Sequence, residues 1–265
     1  MSGHQREIDA GERFEFGANW SRFLAHLDDR RIDDAEASLQ SMLKVETLAG
    51  RRFLDIGSGS GLFSLAARRL GAEVRSFDYD PQSVRCTEEL RRRYFPDDPR
   101  WTVTSGSVLD DAFLATLGSY DIVYSWGVLH HTGQMWKALG NVAPLVAPAG
   151  RLFIALYNDE GLASRYWHAV KKTYVRYPVL RWPIALMHVP YPLAPSLALR
   201  VLTGRRQAVR GMTLWYDFID WIGGYPFEVA TPEAVVDFFT ARGFRLDKLR
   251  TTNRMGCNEF VFVRP

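Results

Sequence analysis

The chain has 265 residues, 47% of them hydrophobic and 24% charged, a balance typical of a soluble globular domain with a substantial insertion. The formal net charge of +3 is uneven, because residues 161–216 hold nine Lys or Arg and no Asp or Glu. The two cysteines, Cys86 and Cys257, exclude a disulfide framework and a metal-spaced cluster, which predicts a protein of the reducing cytoplasm.

The N-terminal stretch MSGHQREIDAGERF carries charges where a secretion signal needs an apolar core, so we expect no signal peptide. From residue 51 onward, short apolar runs alternate with helical patterns. The predicted strands are RRFLDI (51–56), AEVRSFD (72–78), WTVTSGSV (101–108), YDIVYSWG (120–127) and RLFIALYN (151–158). This alternation predicts right-handed crossovers and a parallel sheet covered by helices on both faces.

The helices between these strands have recognisable ends. GLFSLAARRLG (61–71) closes on a glycine, and the helix after strand two begins with Asp80 as N-cap and Pro81 at its first position. Pro144 is expected to kink or shorten the helix QMWKALGNVAPLVAP. A later helix, TPEAVVDFFTARGF, has Thr231 as its cap and Gly243 as its terminator.

Two β-rich runs close the sequence, FRLDKLRTT (244–252) and CNEFVFVRP (257–265), and predict an antiparallel pair at the end of the sheet. The interruption at residues 159–228 is too long for a plain loop in a compact domain. It predicts a mainly helical cap over the carboxyl ends of the strands, after which the alternation of the core resumes.

The stretch LDIGSGSG (54–61) places glycines directly after the first strand, where open parallel sheets bind ligands. Glycine permits positive φ and close backbone approach, and the following helix offers free amides to an anion. A dinucleotide fingerprint needs G-x-G-x-x-G. Here the spacing is G-S-G-S-G, one residue short, with Asp55 two residues before the first glycine.

An acid followed by G-x-G-x-G resembles motif I of the class I S-adenosylmethionine-dependent methyltransferases, and the resemblance extends in order from Arg51 to about Tyr157. It implies a Rossmann-like α/β fold and S-adenosylmethionine as cofactor. The cofactor-binding residues that it implies are Asp55 near the ammonium, Gly57, Ser58 and Gly59 at the methionine end, Asp78 at the ribose, Tyr79 against the adenine, Ser107 and Val108 at the adenine edge, and Ser125 and Trp126 beside the cofactor.

SWGVLHHTGQMW places His130 and His131 just beyond strand four, as in the small-molecule branch that includes ubiquinone-type methylases. Methyl transfer is an in-line displacement in which the protein aligns the reactants and removes a proton. A neutral imidazole with a pKa near ~6.5 is a suitable base for a phenol or hydroxyl proton. The alternative is that one histidine packs or holds the loop. No metal site is expected, because adjacent histidines point apart and no carboxylate cluster supports them.

Further candidates surround the expected acceptor pocket. Tyr157 and Asn158 leave strand five at the same edge, and WYDFIDWIGGYPFE offers Tyr216 and Asp217, whereas Asp220 fits the exposed face of a helix. By the family resemblance, Phe14, Phe16 and Trp20 form part of an N-terminal lid, or else they bury the first helices against the core. The expected division is a helical lid (1–50), a core (51–158 and 229–265) and a helical cap (159–228).

Residues 182–199 contain no Asp, Glu, Lys or Arg, but prolines at 183, 190, 192 and 195 argue against a membrane-spanning helix. An apolar surface flanked by arginines could instead rest on anionic lipid, form the wall of a pocket for an apolar substrate, or be ordinary cap core. No RNA-binding module is recognisable, and SWGVLHH replaces the asparagine-proline-proline-aromatic motif of base-amino methylases, so nucleic acid is not the expected partner.

The sequence therefore predicts an enzyme that moves a methyl group to an oxygen, or less favourably a nitrogen or carbon, of a small aromatic, lipid-like or glycosyl acceptor. The alternatives are an RNA-modifying methyltransferase, an NAD-dependent oxidoreductase and a non-catalytic nucleotide-binding protein. The expected location is cytoplasmic, with peripheral membrane contact through the basic cap.

Overall fold

The computed structural model describes residues 3–188, 219, 221–252 and 256–265. Its strands are β1 (Arg52–Ile56), β2 (Glu73–Asp78), β3 (Trp101–Ser105), β4 (Tyr120–Trp126), β5 (Val146–Tyr157), β6 (Arg245–Arg250) and β7 (Cys257–Val263). They form one seven-stranded sheet in the order β3-β2-β1-β4-β5-β7-β6. The strand order reverses between β1 and β4: β2 and β3 follow β1 on one side, and β5 follows β4 on the other. Because β1 and β4 are parallel neighbours, the loops that follow them lie side by side.

Helices flank this sheet and cover the carboxyl ends of its strands. They are α1 (Gly3–Asp9), α2 (Gly17–Ala25), α3 (Asp29–Leu43), α4 (Leu62–Arg69), α5 (Pro81–Tyr94), α6 (Asp111–Ala115), α7 (Met135–Val142), α8 (Leu162–Arg176), α9 (Arg181–His188) and α10 (Pro232–Thr240). Short 3-10 turns lie at Leu129–His131, Ala143–Leu145 and Pro178–Leu180.

The predicted α/β sheet, mostly parallel with an antiparallel last strand, is confirmed. β1 to β5 run parallel to one another, whereas β7 pairs antiparallel with both β5 and β6. β3 is three residues shorter than predicted, because the main chain turns where the Gly106 amide bonds to the Asp78 carbonyl. β5 is five residues longer at its start, because Val146 pairs with Tyr120 before a register shift.

The predicted helix ends are also confirmed. The Asp80 carboxylate accepts a hydrogen bond from the Gln82 amide before Pro81, and the Thr231 hydroxyl accepts one from Ala234 before Pro232. These bonds satisfy amides that the first turn of a helix leaves free. α7 ends at Val142, and Pro144 lies in the following 3-10 turn, as expected from its missing amide hydrogen.

Two hydrophobic clusters lie on the two faces of the sheet. α3 belongs to the cluster that includes β1 and α4, with Ile32, Leu39 and Met42 fully buried. Burial of each such side chain contributes roughly 1.5–3 kcal/mol. α3 is thus a packed helix of the core layer, whereas residues 3–25, here called the N-terminal segment, lie over the carboxyl edge of the sheet.

Between β5 and α10, the described part of the chain is mainly helical. Tyr174 and Val175 of α8 pack with Ala185 of α9 and Ile222 in a third, smaller cluster. Residues 189–218 and 220 lie outside the described residues. Within the described part, no helix combines the length and apolarity needed to cross a bilayer.

Candidate cofactor and acceptor site

The glycine loop, residues 57–61, turns sharply at the end of β1. Gly57 has φ +76°, and a Cβ at this position would lie 2.4 Å from Cγ1 of Val128, which follows β4. The amides of Gly57 and Ser58 both donate to the Phe77 carbonyl at the end of β2. The loop is therefore glycine at this point for two reasons: its backbone is left-handed and a neighbouring loop fills the space of a side chain.

Asp78, at the end of β2, joins the second half of this loop. One carboxylate oxygen accepts from the Gly59 amide at 2.9 Å, and the other accepts from the Asp80 amide at 2.9 Å. Burial raises the pKa of Asp78 to about 6, although these amide hydrogen bonds oppose the shift. The predicted ribose acid therefore lies directly beside the glycine loop, in a place where its charge is costly.

Asp55 lies on β1, immediately before the loop, and is buried. Its carboxylate accepts from the Ser64 hydroxyl of α4 at 2.5 Å, and Ser64 also contacts Ser76 of β2 at 2.7 Å. Burial raises the pKa of Asp55 to about 7, with a further upward contribution from Asp78. Two acids whose ionised forms are disfavoured thus flank the loop, as expected for a site that receives a positive charge.

The N-terminal segment covers the face of this crevice. The Trp20 indole lies over Gly59, with a ring atom 3.0 Å from where a Cβ would lie. The Tyr79 hydroxyl donates to Glu7 at 3.0 Å, and the Arg13 guanidinium lies 5.3 Å from the Tyr79 ring centre. The predicted adenine-side residue is therefore bounded by the N-terminal segment.

The segment reaches the other end of the site through three of its residues. The Arg13 guanidinium donates to the His131 carbonyl at 2.9 Å, and the Phe16 ring centre is 5.1 Å from that of His131. The Phe14 amide donates to the Tyr225 carbonyl at 2.9 Å. Residues 3–25 thus extend from the end of β2 to the loop after β4.

The next two pairs of candidate residues differ in how their side chains are used. Ser107 is half-buried, with its hydroxyl accepting from the Leu109 amide, and Val108 packs into the core. The Ser125 hydroxyl donates to the Ile56 carbonyl, and the Trp126 indole donates to Glu259 at 2.8 Å. The side chains of Val108, Ser125 and Trp126 are therefore engaged within the protein, in the core or in hydrogen bonds.

His130 and His131, the histidine pair, occupy the 3-10 turn after β4. His131 Nδ1 lies 2.6 Å from the Pro226 carbonyl, which can only accept, so Nδ1 carries the proton and Nε2 the lone pair. His130 is fully buried, and neither of its ring nitrogens has a hydrogen-bond partner among the described residues. Burial lowers the pKa of His131 to about 3, and burial with the neighbouring His131 and Lys171 holds the pKa of His130 well below its usual range.

Tyr157 joins the histidine pair at the end of β5. Its ring centre is 4.1 Å from that of His130 and 5.3 Å from that of Phe227. Asn158 instead supports the backbone, with its amide oxygen accepting from Asn258 of β7 at 3.0 Å. A cavity of about 440 Å³ opens beyond Phe227, and its lining includes Trp136 and Arg165.

Two predicted acceptor-side residues, Tyr216 and Asp217, lie outside the described residues, as does Asp220, expected on the exposed face of a helix. Glu228 of the same stretch is half-buried and accepts from the Met135 amide at the start of α7. Its carboxylate therefore caps a helix, and burial raises its pKa.

Sequence reasoning missed Lys171. In α8 it shares the buried face with Trp167 and Tyr174, which lie four residues before it and three after it. That helical spacing was the available signal, because a lysine in an apolar stripe is expected to be buried. In the sequence, Lys171 appears only as one of the nine basic residues that give residues 161–216 their positive charge.

Comparisons with known proteins agree with this geometry. Residues 54–152 match the family model described as a methyltransferase domain. The matched range begins on β1, just before the glycine loop, and ends on β5, so it contains the loop, Asp78 and the histidine pair. The chain therefore contains a methyltransferase domain over residues 54–152, with the fold of the class I enzymes.

The curated relatives of the chain are named for different substrates. It is 32% identical over 162 residues to the ubiquinone biosynthesis O-methyltransferase of Xanthomonas oryzae pv. oryzae, with 58% of this chain and 62% of that protein covered. It is 34% identical over 122 residues to the tRNA U34 carboxymethyltransferase of Methylococcus capsulatus, covering 46% of this chain and 36% of that protein. The chain thus spans less than two thirds of the length of these relatives.

Solved methyltransferase structures share the fold. Magnesium protoporphyrin IX methyltransferase from Synechocystis has a TM-score of 0.54 at 16% identity, with 89% of this chain and 83% of that chain covered. A methyltransferase from Haloferax volcanii in complex with the Trm112 methyltransferase activator has a TM-score of 0.57 at 15% identity, with 95% and 96% covered. At these identities, the likeness supports the fold alone.

Proposed function

We propose that this methyltransferase transfers the methyl group of S-adenosylmethionine to an oxygen of a small aromatic or lipid-like acceptor. The observation that carries the proposal is the juxtaposition of a glycine loop, a buried acid at the end of β2 and a neutral histidine pair after β4. The family match and the O-methyltransferase relatives support the same reaction.

The residues around the crevice fit the cofactor. Gly57 and Gly59 give the close backbone approach that the methionine end needs, and Asp55 would balance its ammonium charge. Asp78 retains acceptor capacity for ribose hydroxyls, because each carboxylate oxygen has two lone pairs. Ser58, Tyr79, Ser107, Val108, Ser125 and Trp126 complete the proposed contacts, several of them through the main chain.

His131 is the proposed base. Its Nε2 lone pair is available because Nδ1–H is committed to Pro226, and burial keeps the ring neutral across the physiological range. The cofactor supplies an already activated methyl group, so the chain's own task is to align the acceptor oxygen and accept its proton. His130, Tyr157 and Trp20 would shape the pocket around that oxygen, and Tyr216, Asp217 and Asn158 remain proposed acceptor-side residues.

Binding measurements separate this proposal from its alternatives. We expect calorimetric titration to give tight binding of S-adenosylmethionine and its demethylated product, and none of NAD. Tight NAD binding without affinity for either sulfur compound would support an oxidoreductase and overturn the proposal. Cofactor binding without turnover on phenols, lipid hydroxyls or tRNA would indicate a binding-only protein.

The acceptor class needs its own test, because one relative is named as a tRNA enzyme. The apolar rings of Tyr157 and Phe227 beside the histidine pair favour a small aromatic or lipid-like acceptor. We expect methylation, followed by mass spectrometry, to label a small-molecule extract and to leave total tRNA unlabelled. Label in the tRNA alone would replace the small-molecule acceptor with RNA.

The cap also supports a proposal of peripheral membrane contact. Eight large hydrophobic side chains between residues 162 and 187 are 40–85% exposed, including Val179, Trp182, Leu186 and Met187. Arg176 and Arg181 are interspersed with them, and the sequence has no acid between residues 161 and 216. A surface that is both apolar and basic suits an anionic lipid headgroup layer.

We expect the protein to float with vesicles of phosphatidylglycerol and phosphatidylcholine at low salt, and less so at high salt, because salt screens the attraction. Trp182→Ala with Leu186→Ala should reduce flotation, whereas Leu249→Ala, an exposed leucine on β6, should not. Equal flotation of the two variants, or none of the unaltered protein, would reject membrane contact at this surface.

A further inference from the structure

Lys171 is a buried lysine without a carboxylate partner among the described residues. Its side chain is 0% exposed, and its ammonium donates to the Trp221 carbonyl. The Nζ atom lies 4.3, 5.0 and 5.9 Å from the ring centres of Trp221, Phe227 and Tyr157, here called the aromatic cage. A cation in such a place is held by ring quadrupoles and one carbonyl, at a cost in desolvation.

The members of the aromatic cage also contact or adjoin the histidine pair. Tyr157 packs against His130 with ring centres 4.1 Å apart and the ring planes tilted by 43°. Phe227 lies between Pro226, whose carbonyl accepts from His131, and Glu228, whose amide donates to the His130 carbonyl at 3.0 Å. Hydrogen bonds thus join residues 221–228 to the Lys171 ammonium at one end, and to the His131 ring and the His130 carbonyl at the other.

We propose that Lys171 is a positioning residue of the active site, whose ammonium fixes residues 221–228 and Tyr157 so that the histidine pair keeps one orientation and one tautomer. The inference rests on the proposed function in that the histidine pair faces the acceptor. Lys171 itself is enclosed and does not contact the acceptor. It acts through Trp221, Phe227 and Tyr157.

Electrostatics support this role. Burial lowers the pKa of Lys171 to about 7, and its charge contributes, after burial, to the low pKa values of His130 and His131. Among the described residues, the charged groups that affect the pair are Arg13 from the N-terminal segment and Lys171 from α8, and no described carboxylate contributes to either histidine pKa. Positive charge from both groups disfavours the imidazolium forms, so each ring stays neutral and its tautomer is set by its hydrogen bonds.

Lys171→Met tests the inference, because methionine preserves length and apolar packing while it removes the charge and the donor. Lys172→Met, at the exposed lysine next in sequence, is the matched control. We expect Lys171→Met to lower kcat by about tenfold or more with an almost unchanged KM for the cofactor, as for misalignment of a catalytic group. Lys172→Met should leave both parameters unaltered.

Nitrogen-15 NMR of the histidine rings gives a readout that mere loss of stability would not produce. The unaltered protein and Lys172→Met should show the Nδ1–H tautomer of His131, whereas Lys171→Met should show a mixture of tautomers. The histidine shifts of the unaltered protein should also inflect near pH 7, following the pKa of about 7 of Lys171, and this inflection should vanish in Lys171→Met.

A single tautomer and unaltered turnover in Lys171→Met would overturn the inference. Should Lys171→Met not fold, histidine shifts of the unaltered protein that stay constant while Lys171 itself loses its proton, followed by its own nitrogen-15 signal, would overturn the inference equally, because that measurement needs no variant. Neither NMR readout depends on methyl transfer. Failure of the proposed function and failure of the positioning role are therefore distinguishable.

Discussion

The Pro226 carbonyl determines the tautomer of His131, because a carbonyl oxygen can only accept a hydrogen bond. The Pro226 oxygen lies 2.6 Å from Nδ1 and therefore requires a proton there, which leaves the Nε2 lone pair toward the site. His130 has no such bond, and its two buried nitrogens lack partners among the described residues. The two adjacent histidines are thus not equivalent, although the sequence presents them as a pair.

His131→Asn retains a donor near the Nδ1 position but removes the base. We expect kcat to fall at least ~100-fold with cofactor affinity intact, the range for loss of general-base help. His168→Asn, at an exposed histidine of α8, serves as the control in the same kinetic assay. Turnover within twofold of the unaltered enzyme would remove His131 from the role of base.

The proposed contact of Asp78 with the ribose should make cofactor binding depend on pH. Its pKa of about 6 in the free protein means that, below that value, a proton must leave before the carboxylate can accept from ribose hydroxyls. We therefore expect the Kd of the demethylated product to rise toward about tenfold per pH unit below pH 6, measured by calorimetry. Asp78→Asn should bind more weakly at neutral pH and show a shallower dependence, which Asp55, with its pKa of about 7, still supplies. An equally steep dependence in the variant would place the titrating group elsewhere.

Gly57 connects two loops of the site. Its left-handed backbone and its contact with Val128 both oppose a side chain. Gly57→Ala should lower the free energy of unfolding by more than the roughly 1–3 kcal/mol of backbone strain alone, as measured by urea denaturation. Gly118→Ala is the control, because Gly118 has φ +74° but nothing within 4 Å of a Cβ.

Adding Val128→Ala to Gly57→Ala should recover the part of the loss that comes from the clash and leave the strain. Suppose instead that the Gly57 and Gly118 variants lose the same free energy of unfolding and that the double variant regains none of it. Val128 would then move aside without a measurable loss of stability. The cycle thus separates backbone strain from side-chain overlap at one position.

Much of this architecture could be predicted from local patterns. The caps at Asp80 and Thr231, the strand alternation and the glycine loop follow from short-range sequence rules, and the structure agrees with them. That β3 ends three residues earlier than predicted, and that β5 starts five residues earlier, could not be predicted, because both depend on pairing with distant strands. Likewise, Ser125 and Trp126 lie at the predicted strand end, but only the tertiary fold determines that their side chains bond to Ile56 and Glu259.

The whole molecule balances opposite pH effects on stability. Asp55 and Asp78 have raised pKa values, so between about pH 4 and 6 the folded state binds more protons there and stability falls as pH rises. His130 and His131 have lowered pKa values, so over the same range the unfolded chain binds more protons and stability rises with pH. The two contributions oppose each other across mildly acidic conditions.

Asp55→Asn should therefore make stability rise more steeply with pH between pH 4 and 6, by at most about 1.4 kcal/mol per pH unit, the slope of one proton. Urea denaturation at several pH values gives the slopes, and Asp111→Asn, at an exposed acid of α6, is the control. Identical slopes in the two variants would show that Asp55 is ionised in the folded protein over this range.

The contact of Val128 with Gly57 has a consequence for catalysis. Val128 precedes the two histidines, which are hydrogen-bonded to Pro226 and Glu228, so the donor side and the acceptor side share one short, tightly packed connection. A methyl acceptor that shifts this connection must alter the affinity for the donor, and by thermodynamic reciprocity the donor must alter the affinity for the acceptor to the same degree. We therefore expect the two ligands to bind cooperatively rather than independently.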